Sequence, residues 1–273
     1  MIELHELNHG FEWIDHDRDG PRRLLTGAQI EQFDHDGFVL VEDAFDPTTV
    51  ARLIAEIDPL EAEMESLLRD AGGTLFIARA DEITFTVHLV TRSPYLRRCS
   101  ATSPLVDLAH DLVGDDARLY WDQSVYKKPD TDAPFPWHQD NGYTFVEPQA
   151  YLTCWIALTD TDETNGCPWV VPGMHRRGTL AHRMTDLGWV CLDDAPDAVA
   201  VPARAGSIVV FSSLTPHCTG ANTTAATRKS WIVQYAPEGA LIHQRRGEET
   251  VLVAANAPDR QYPVVVAGEP VRP

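Results

Sequence analysis

The sequence has few basic residues for its length. Lys and Arg together number 22 in 273 residues, against 41 Asp and Glu, and the formal net charge is -19 at pH 7. Such a balance is poorly suited to binding the phosphates of nucleic acids or an anionic membrane surface. We therefore expect a small molecule as the partner, with no nucleic acid and no membrane. The charge leaves the oligomeric state open.

Paired cysteines and long apolar runs are also missing. The five cysteines are widely spaced and contain no C-x-x-C pair, which excludes a zinc site built from cysteines and is typical of a reducing compartment. The first residues lack the basic and apolar segments of a secretory signal. No apolar run approaches the roughly 20 residues that span a bilayer. These features predict a soluble, cytoplasmic protein.

The first part of the chain, residues 25–115, is predicted to be rich in helices. Thr26 is a suitable N-cap, and Asp46 followed by Pro47 is typical of the start of a longer helix, which Pro59 is expected to kink or end. The predicted elements of this part are helices at 26–33, 46–59, 60–68 and 103–113 and strands at 38–41 and 83–87.

From residue 117 onward, short segments of β character alternate with turn-rich connections. The predicted strands are 117–127, 136–140, 150–159, 168–172, 207–212, 216–219 and 229–236. Several short strands with long connections indicate a sandwich or barrel of the jelly-roll kind, here residues 117–237. Residues 181–204 are predicted to be a long loop that could cover a site, and 238–273 a partly extended tail. The whole chain, 1–273, is predicted to be one domain.

The segment Trp-His-Gln-Asp at 137–140 is the main candidate for a metal site. In a strand, residues two apart point to the same face, so His138 and Asp140 would address one ion. His217 is the candidate for a third ligand. Two histidines and one carboxylate leave open positions on the metal, which suits non-heme Fe(II). Zinc hydrolases can use the same three ligands, so these residues alone leave the metal open.

Arg228 is the second candidate for the site. It lies 11 residues after His217, across a turn predicted at 220–224, so a hairpin would place it at the floor of the same pocket. A guanidinium there can bind a carboxylate through two parallel hydrogen bonds. The alternative is a surface arginine beside Lys229. The apolar residues at 231–233 make that alternative less attractive.

Taken together, these residues resemble the phytanoyl-CoA dioxygenase (PhyH-like) family of Fe(II)/2-oxoglutarate-dependent oxygenases. Met174 departs from the pattern, because the family usually has serine there. The matching segments are 32–39 (QFDHDGFV), 137–140 (WHQD), 155–158 (WIAL), 165–175 (NGCPWVVPGMH), 217–222 (HCTGAN) and Arg228.

The resemblance implies a mainly β fold with α-helices: a double-stranded β-helix (jelly-roll, cupin-like) core with helices packed on one side. It implies iron on His138, Asp140 and His217, and 2-oxoglutarate with its distal carboxylate on Arg228. The remaining cosubstrate positions implied by the family are Thr219, Gln123, Trp155 and Lys127.

The implied reaction is hydroxylation of an unactivated C–H bond with O2, while 2-oxoglutarate becomes succinate and CO2. Asp140 argues against a halogenase, because the related iron halogenases lack this carboxylate. A metabolite-binding jelly roll without catalysis is a further alternative, which the loss of a ligand would favour. All three candidate ligands are present in this chain.

The substrate is predicted less directly. Tyr143 and Phe145 follow the iron-binding segment and are expected at the pocket mouth, and His175 is a candidate contact for a polar substrate or a support for its loop. An acyl-CoA or lipid-like substrate is the alternative, but a coenzyme A group would need a basic patch. The residues that could offer one are Arg176, Arg177, Arg183, Arg245 and Arg246. We therefore expect a small metabolite or a natural-product intermediate.

Overall fold

A computed structural model describes residues 2–247 and 249–271. Residues 1, 248, 272 and 273, which the predicted domain includes, lie outside this description. The helices are α1 (Gly27–Asp36), α2 (Pro47–Asp70), α3 (Pro94–Cys99) and α4 (Leu105–Val113), with short 3-10 turns at Leu89–Thr91, Asp140–Gly142 and Met174–Arg177.

The strands in chain order are β1 (Phe38–Val41), β2 (Thr74–Leu75), β3 (Ala78–Arg79), β4 (Ile83–Val87), β5 (Ala117–Lys127), β6 (Phe135–His138), β7 (Val146–Glu147), β8 (Leu152–Ala157), β9 (Pro168–Val170), β10 (Arg183–Thr185), β11 (Gly188–Val190), β12 (Val199–Ala200), β13 (Ile208–Ser212), β14 (His217–Thr219), β15 (Arg228–Pro237), β16 (Leu241–Arg246), β17 (Glu249–Ala254), β18 (Pro263–Val266) and β19 (Glu269–Pro270).

The helix starts follow from their capping residues. Thr26 and Gln29 form a capping box at the start of α1, and the Asp46 carboxylate accepts hydrogen bonds from the backbone of Thr48 and Thr49 at the start of α2. Both predicted starts are confirmed. The helix does not end at Pro59, because apolar residues on both sides of it are buried in one core, and their burial outweighs the loss of a helical hydrogen bond, which costs about 3 kcal/mol.

The strands form a large antiparallel sheet and smaller ones. The large sheet has the order β1-β13-β8-β15-β5-β4-β3-β2, with β18 also paired to β5. The second sheet has the order β12-β9-β14-β6, and its residues share an apolar cluster with one face of the large sheet. The other face of the large sheet packs with α1, α2 and α4 in a second cluster. This is a jelly roll with helices on one side, as predicted.

Two segments differ from their predicted form. Residues 183–190, predicted to belong to a long loop, form the hairpin β10–β11, whose tight turn is closed by a hydrogen bond from the Thr185 hydroxyl to the Gly188 carbonyl. The predicted tail contains β16 to β19, and β16 pairs with both β7 and β17. No helix in residues 2–247 and 249–271 is long and apolar enough to cross a membrane.

Strand β5 contains a bulge that changes which side chains face the interior of the jelly roll. Its pairing with β15 passes from Trp121 opposite Gln234 to Leu119 opposite Tyr235, so Tyr120 has no partner of its own. A bulge lets two consecutive residues turn toward one face. Tyr120 and Trp121 consequently both line the main cavity.

Asp122, the next residue of β5, is a buried carboxyl in the helix-side core. Its Oδ2 accepts from the Val90 amide at 3.2 Å and contacts the Trp231 indole nitrogen at 3.5 Å, while Oδ1 has no hydrogen-bond partner in the described part of the chain. Burial raises the pKa of Asp122 from 3.8 to about 7. The neutral carboxyl is therefore the form that the fold favours.

We expect Asp122→Asn to stabilise the protein above neutral pH. A folded-state pKa above the unfolded one means that the wild-type free energy of unfolding falls as pH rises from about 4 to about 7. At ~1.4 kcal/mol per pKa unit, the loss is at most about 4 kcal/mol. Urea unfolding at about pH 5 and about pH 8 should show this loss for the wild type and little of it for the variant. Equal pH dependence in both proteins would contradict the prediction.

Candidate metal centre and carboxylate pocket

Three side chains that can bind a metal meet at one end of the jelly roll. His138 ends β6 and His217 begins β14, and the two residues lie opposite each other in the antiparallel pair. Asp140 Oδ1 lies 3.9 Å from His138 Nε2 and 3.7 Å from His217 Nε2. All three ligand atoms lie within 4.8 Å of one another, so one ion could contact them together.

The predicted strand through residue 140 is too long. Strand β6 ends at His138, and Asp140 begins the turn Asp140–Gly142. Gln139 between them remains extended, with φ -110° and ψ 142°, so the carboxylate still returns toward His138. The Gln139 side chain points away, as expected, and hydrogen-bonds the backbone of Gly178, Leu180 and Leu214. These three bonds fix the segment that carries the ligands.

A close approach between Gly142 and His182 holds the same turn. The His182 ring donates from Nδ1 to the Leu180 carbonyl at 2.8 Å and accepts the Gln139 amide at Nε2, at 3.0 Å. A Cβ at Gly142 would overlap this ring. Glycine is therefore the residue that lets the turn after Asp140 pack on a histidine already fixed by two hydrogen bonds.

Both ligand histidines are held in the tautomer that a metal requires. The Nδ1 of His138 donates to the Pro136 carbonyl at 2.8 Å, and that of His217 donates to the Thr215 carbonyl at 3.0 Å. The Nε2 lone pairs therefore face the centre. Burial lowers the pKa of His138 to about 3 and that of His217 to about 4, so both rings are neutral at physiological pH.

The Asp140 carboxylate is oriented by a pair of hydrogen bonds. Its Oδ2 accepts from the Thr153 hydroxyl at 2.6 Å, and Thr153 accepts from the Gln234 amide at 3.1 Å. This leaves Oδ1 directed toward the two histidines. Burial raises the pKa of Asp140, an effect that the neighbouring His138 and Thr153 oppose and that a bound cation would also oppose.

We expect Thr153→Val to weaken Fe(II) binding by about 10- to 100-fold, because loss of a group that orients a metal ligand typically has this effect. Valine keeps the shape of the side chain but removes the hydrogen bond to Asp140. Thr153→Ser keeps the hydroxyl and is expected to bind Fe(II) nearly as the wild type does. Anaerobic calorimetric titration with Fe(II) measures both variants. Equal affinities for the valine and serine variants would refute the role of the hydroxyl.

Arg228 begins β15 in the same cavity, with its side chain almost completely buried. Its Nη1 donates to the Val125 carbonyl at 3.1 Å and the Ser230 hydroxyl at 2.7 Å. Its Nε and Nη2 have no hydrogen-bond partner among the described residues, and neither does the hydroxyl of Thr219, which lines the same cavity. Two unpaired N–H donors and a hydroxyl form a site that a carboxylate fits.

The electrostatics of this pocket also favour an anion. Burial lowers the pKa of Arg228 to about 10, which leaves the guanidinium charged at neutral pH. Its Cζ lies 5.3 Å from the Trp155 ring, a cation–π contact that positions the group. Gln123 also lines the cavity, and its Oε1 accepts from the Trp121 indole at 3.1 Å.

Lys127 lies behind this pocket and does not line it. The ammonium is buried and donates to the backbone carbonyls of Gly220 at 2.5 Å, Ala133 at 3.3 Å and Thr219 at 3.4 Å. Burial, and then the nearby Arg228, lower the pKa of Lys127 to about 7. The structure therefore places Lys127 as a support for the segment that carries Thr219.

The three residues predicted to contact substrate are placed differently from one another. Tyr143 lines the cavity, with its ring edge-on to His138 at 5.2 Å. Phe145 is buried against His5 and His243 and does not line it. His175 is buried beneath Gly37, where a Cβ would overlap its ring, and contacts the Asp34 carbonyl at 3.2 Å.

The main cavity joins the metal ligands and the Arg228 pocket, with a volume of about 510 Å3. Several residues that line it were not predicted. Thr153 and Gln234 could have been found from the period of two, since they lie two residues before Trp155 and six after Arg228. Tyr120 and Trp121 depend on the bulge. The unpredicted lining residues also include Met64, Leu75, Phe76, Ile77, Ala78, Ile83, Phe85, Val87 and Phe135.

Comparison with known proteins places this geometry in a family. The family model for phytanoyl-CoA dioxygenase (PhyH) matches residues 33–230. The chain is 30% identical over 157 residues to an ectoine dioxygenase of Bordetella bronchiseptica, a match that covers 56% of this chain and 50% of that one. The chain thus spans about half the length of this relative.

Two further proteins match over more of their length. A probable alpha-ketoglutarate-dependent hypophosphite dioxygenase of Stutzerimonas stutzeri is 25% identical over 228 residues, which cover 78% of this chain and 79% of that one. The crystal structure of the non-heme alpha-ketoglutarate-dependent carbocyclase SnoK from nogalamycin biosynthesis is similar, with a TM-score of 0.67 and 27% identity over 81% of this chain and 89% of that one. The chain belongs to the phytanoyl-CoA dioxygenase (PhyH) family.

Proposed function

We propose that the protein is an Fe(II)/2-oxoglutarate-dependent dioxygenase that hydroxylates an unactivated C–H bond of a small metabolite or natural-product intermediate. 2-Oxoglutarate would be converted to succinate and CO2 with O2 as the oxidant. The observation that carries this proposal is the pair of unpaired N–H groups on buried Arg228, in the cavity that also holds the three ligand side chains.

The roles of the residues follow from their positions. His138, Asp140 and His217 would hold Fe(II) from one side and leave its other positions facing the cavity. Arg228 and Thr219 would bind the distal carboxylate of 2-oxoglutarate, which fixes the direction of the cosubstrate toward the metal. When bound, the iron and its cosubstrate supply the oxidation of the C–H bond. The apolar walls exclude water from that reaction and orient the bond.

The relatives favour small substrates without naming one for this chain. The activities in their names range from an ectoine dioxygenase to a hypophosphite dioxygenase and a carbocyclase. An acyl-CoA substrate is disfavoured because arginines predicted to offer a basic patch are paired elsewhere: Arg176 with Asp15, and Arg183 with Asp193. A zinc hydrolase is disfavoured, because hydrolysis at the metal gives no role to the carboxylate-binding pocket at Arg228.

A cytoplasmic location is part of the proposal. The five cysteines are free, and three of them, Cys154, Cys167 and Cys218, are buried. Free cysteines are typical of a reducing compartment.

The proposal is tested by adding Fe(II) and 2-oxoglutarate to the metal-free protein without oxygen. Binding of both should produce a weak visible charge-transfer band that neither gives alone. Admission of O2 with a suitable substrate should then yield succinate. Absence of the band, together with absence of succinate over a broad metabolite library, would contradict the proposed function.

A further inference from the structure

The part of the cavity beyond the ligands and Arg228 has an apolar surface, which we call the outer wall. It is formed by the turn between β2 and β3, by β4, and by side chains of α2 and β6. The residues of the outer wall are Met64, Leu75, Phe76, Ile77, Ala78, Ile83, Phe85, Val87 and Phe135. None of these side chains carries a charge or can donate a hydrogen bond, and the thioether sulfur of Met64 is their one weak acceptor.

Aromatic rings run from the outer wall to the candidate metal ligands. Phe85 and Phe135 lie 5.4 Å apart between ring centroids, and Phe135 meets His138 edge-on at 4.9 Å. Tyr143 meets the same histidine ring edge-on, at 5.2 Å. Aromatic rings pack on other rings in offset and edge-on arrangements, so these residues offer surfaces on which a ring system can pack.

Phe76 stands at the mouth of the cavity, and 90% of its surface is exposed. Its φ of 52° lies in the left-handed region, where a bulky side chain is strained. An exposed aromatic residue held in this conformation is available to cover an apolar ligand. The burial of its ring would then accompany binding.

Charged groups are almost absent from the cavity. Among the described residues that line it, Arg228 is the only Lys or Arg and Asp140 the only Asp or Glu. Both have roles in the proposed function. Other cations of the neighbouring segments are engaged: Lys127 donates to the Thr219 and Gly220 carbonyls, Lys128 contacts Glu61, and Arg79 donates to the Asp186 carbonyl. A phosphate, carboxylate or ammonium group on the substrate would therefore lose its hydration without gaining a partner.

Outside the Arg228 pocket, one polar atom of the cavity wall lacks an acceptor among the described residues. The Tyr143 hydroxyl is buried with the Trp189 backbone near its oxygen, and its proton has no acceptor among those residues. A buried hydroxyl normally finds a partner. It could donate to a carbonyl or hydroxyl oxygen of a ligand that lies between the outer wall and His138.

From these observations we infer that the substrate is an uncharged molecule with an apolar skeleton of several rings, which the outer wall binds, and that one of its oxygens contacts the Tyr143 hydroxyl. The volume of about 510 Å3 is within the range of sites for ligands of this size. That this ligand is also the molecule that the enzyme oxidises rests on the proposed function. The binding preference is a property of the cavity alone.

The binding preference is tested with two probes that share one skeleton. N-phenyl-1-naphthylamine is neutral, and 8-anilinonaphthalene-1-sulfonate carries one sulfonate on the same rings. Fluorescence titrations in about 0.5 M salt, which screens the net charge of the chain, should give a dissociation constant at least about tenfold lower for the neutral probe. The titrations are made in the Arg228→Met variant, so that the sulfonate has no guanidinium to pair with, whether or not 2-oxoglutarate binds. Tighter or equal binding of the sulfonate probe would overturn the inference.

Two variants locate the bound probe. Phe76→Asp places a charge at the cavity mouth and should lower the affinity for the neutral probe by about fivefold or more. Aspartate tolerates a positive φ, so the turn is expected to fold. Leu252→Asp, in β17, changes another exposed apolar residue that does not line the cavity and should have no effect. Equal effects of the two variants, or no effect of either, would refute binding at the outer wall.

A third variant tests the polar contact. Tyr143→Phe keeps the ring beside His138 and removes the hydroxyl. It should weaken a naphthyl ketone, 2-acetylnaphthalene, by about fivefold and leave N-phenyl-1-naphthylamine unchanged. Equal affinity of wild type and variant for the ketone would refute the contact.

These outcomes are separate from those of the proposed function. A protein that binds the neutral probe but gives no charge-transfer band keeps the cavity preference and loses the oxygenase assignment. A protein that gives the band but prefers the sulfonate probe keeps the oxygenase assignment and loses the inferred substrate class.

Discussion

Replacing Arg228 with methionine is expected to weaken 2-oxoglutarate binding by about 100- to 1000-fold while Fe(II) binding changes by less than about threefold. Hydrogen bonds to a charged partner each contribute roughly 1.5–3 kcal/mol, and Arg228 has two N–H groups available for one carboxylate. The three candidate metal ligands belong to β6, the following turn and β14, and none of them hydrogen-bonds Arg228. The substitution should therefore separate the two binding events.

The measurement is a titration with 2-oxoglutarate, followed by the charge-transfer band in the presence of saturating Fe(II). Arg228→Lys keeps a positive charge but cannot offer two parallel N–H groups, so we expect an intermediate loss. Arg204→Met is the matched control, because Arg204 is an exposed arginine paired with Asp43. Cosubstrate affinity equal to that of the Arg204 variant would remove Arg228 from the site.

Methionine also removes the bonds from Arg228 to Val125 and Ser230, so a second variant guards against misfolding. Thr219→Val takes away only the unpaired hydroxyl in the wall of the same cavity and is close in shape to the wild type. We expect it to weaken 2-oxoglutarate binding by about fivefold, the effect of one net hydrogen bond. No loss in this variant would exclude the hydroxyl from the pocket.

The parts of the site that the sequence predicted well are those set by the two-residue period of strands. Arg228, Ile232 and Gln234 lie on one strand and line one cavity, while Trp231 and Val233 between them face the helices. The predicted hairpin between His217 and Arg228 is wrong, because β14 pairs with β6 and β9 in the second sheet while β15 pairs with β5 and β8 in the large sheet. The short connection crosses from one sheet to the other, and both residues still line the same cavity. Local periodicity and short connections are properties that one sequence carries.

The parts that it predicted poorly depend on contacts between distant segments. The bulge at Tyr120 exists only in the pairing of β5 with β15, and no local pattern shows which residue is left unpaired. The turn that closes the cavity mouth joins strands of two residues, too short for any period to appear. No local pattern in the sequence therefore indicated that the residues of the outer wall line the cavity.

The family resemblance assigned residues to the site by their type. The structure places some of these residues outside the cavity. Lys127 supports the Thr219 segment through carbonyl contacts and does not reach the cavity. His175 lies against the C-terminal end of α1, where its ring contacts the Asp34 carbonyl and Gly37. A lysine or histidine near a site can be there to satisfy backbone groups, and only the positions of its hydrogen-bond partners distinguish this role from ligand binding.

The second large effect is expected from Asp140→Asn. Asparagine preserves the shape of the side chain and can still accept the hydrogen bond from Thr153, so the fold should persist. It lacks the negative charge that balances a divalent cation in a buried site, and we expect Fe(II) affinity to fall by at least about 100-fold. His138 and His217 alone would then remain as ligands.

Thermal unfolding separates this loss of the metal from a loss of the fold. A ligand at about 100 times its dissociation constant adds roughly 2.7 kcal/mol of stability, which corresponds to a rise in Tm of about 5–10 °C for a chain of this size. Fe(II) with 2-oxoglutarate should raise the Tm of the wild type and leave that of Asp140→Asn unchanged. Asp162→Asn is the matched control, because exposed Asp162 also accepts a threonine hydroxyl, that of Thr164. It should keep the full rise. A rise of equal size in the Asp140 variant would show that the carboxylate is not a ligand.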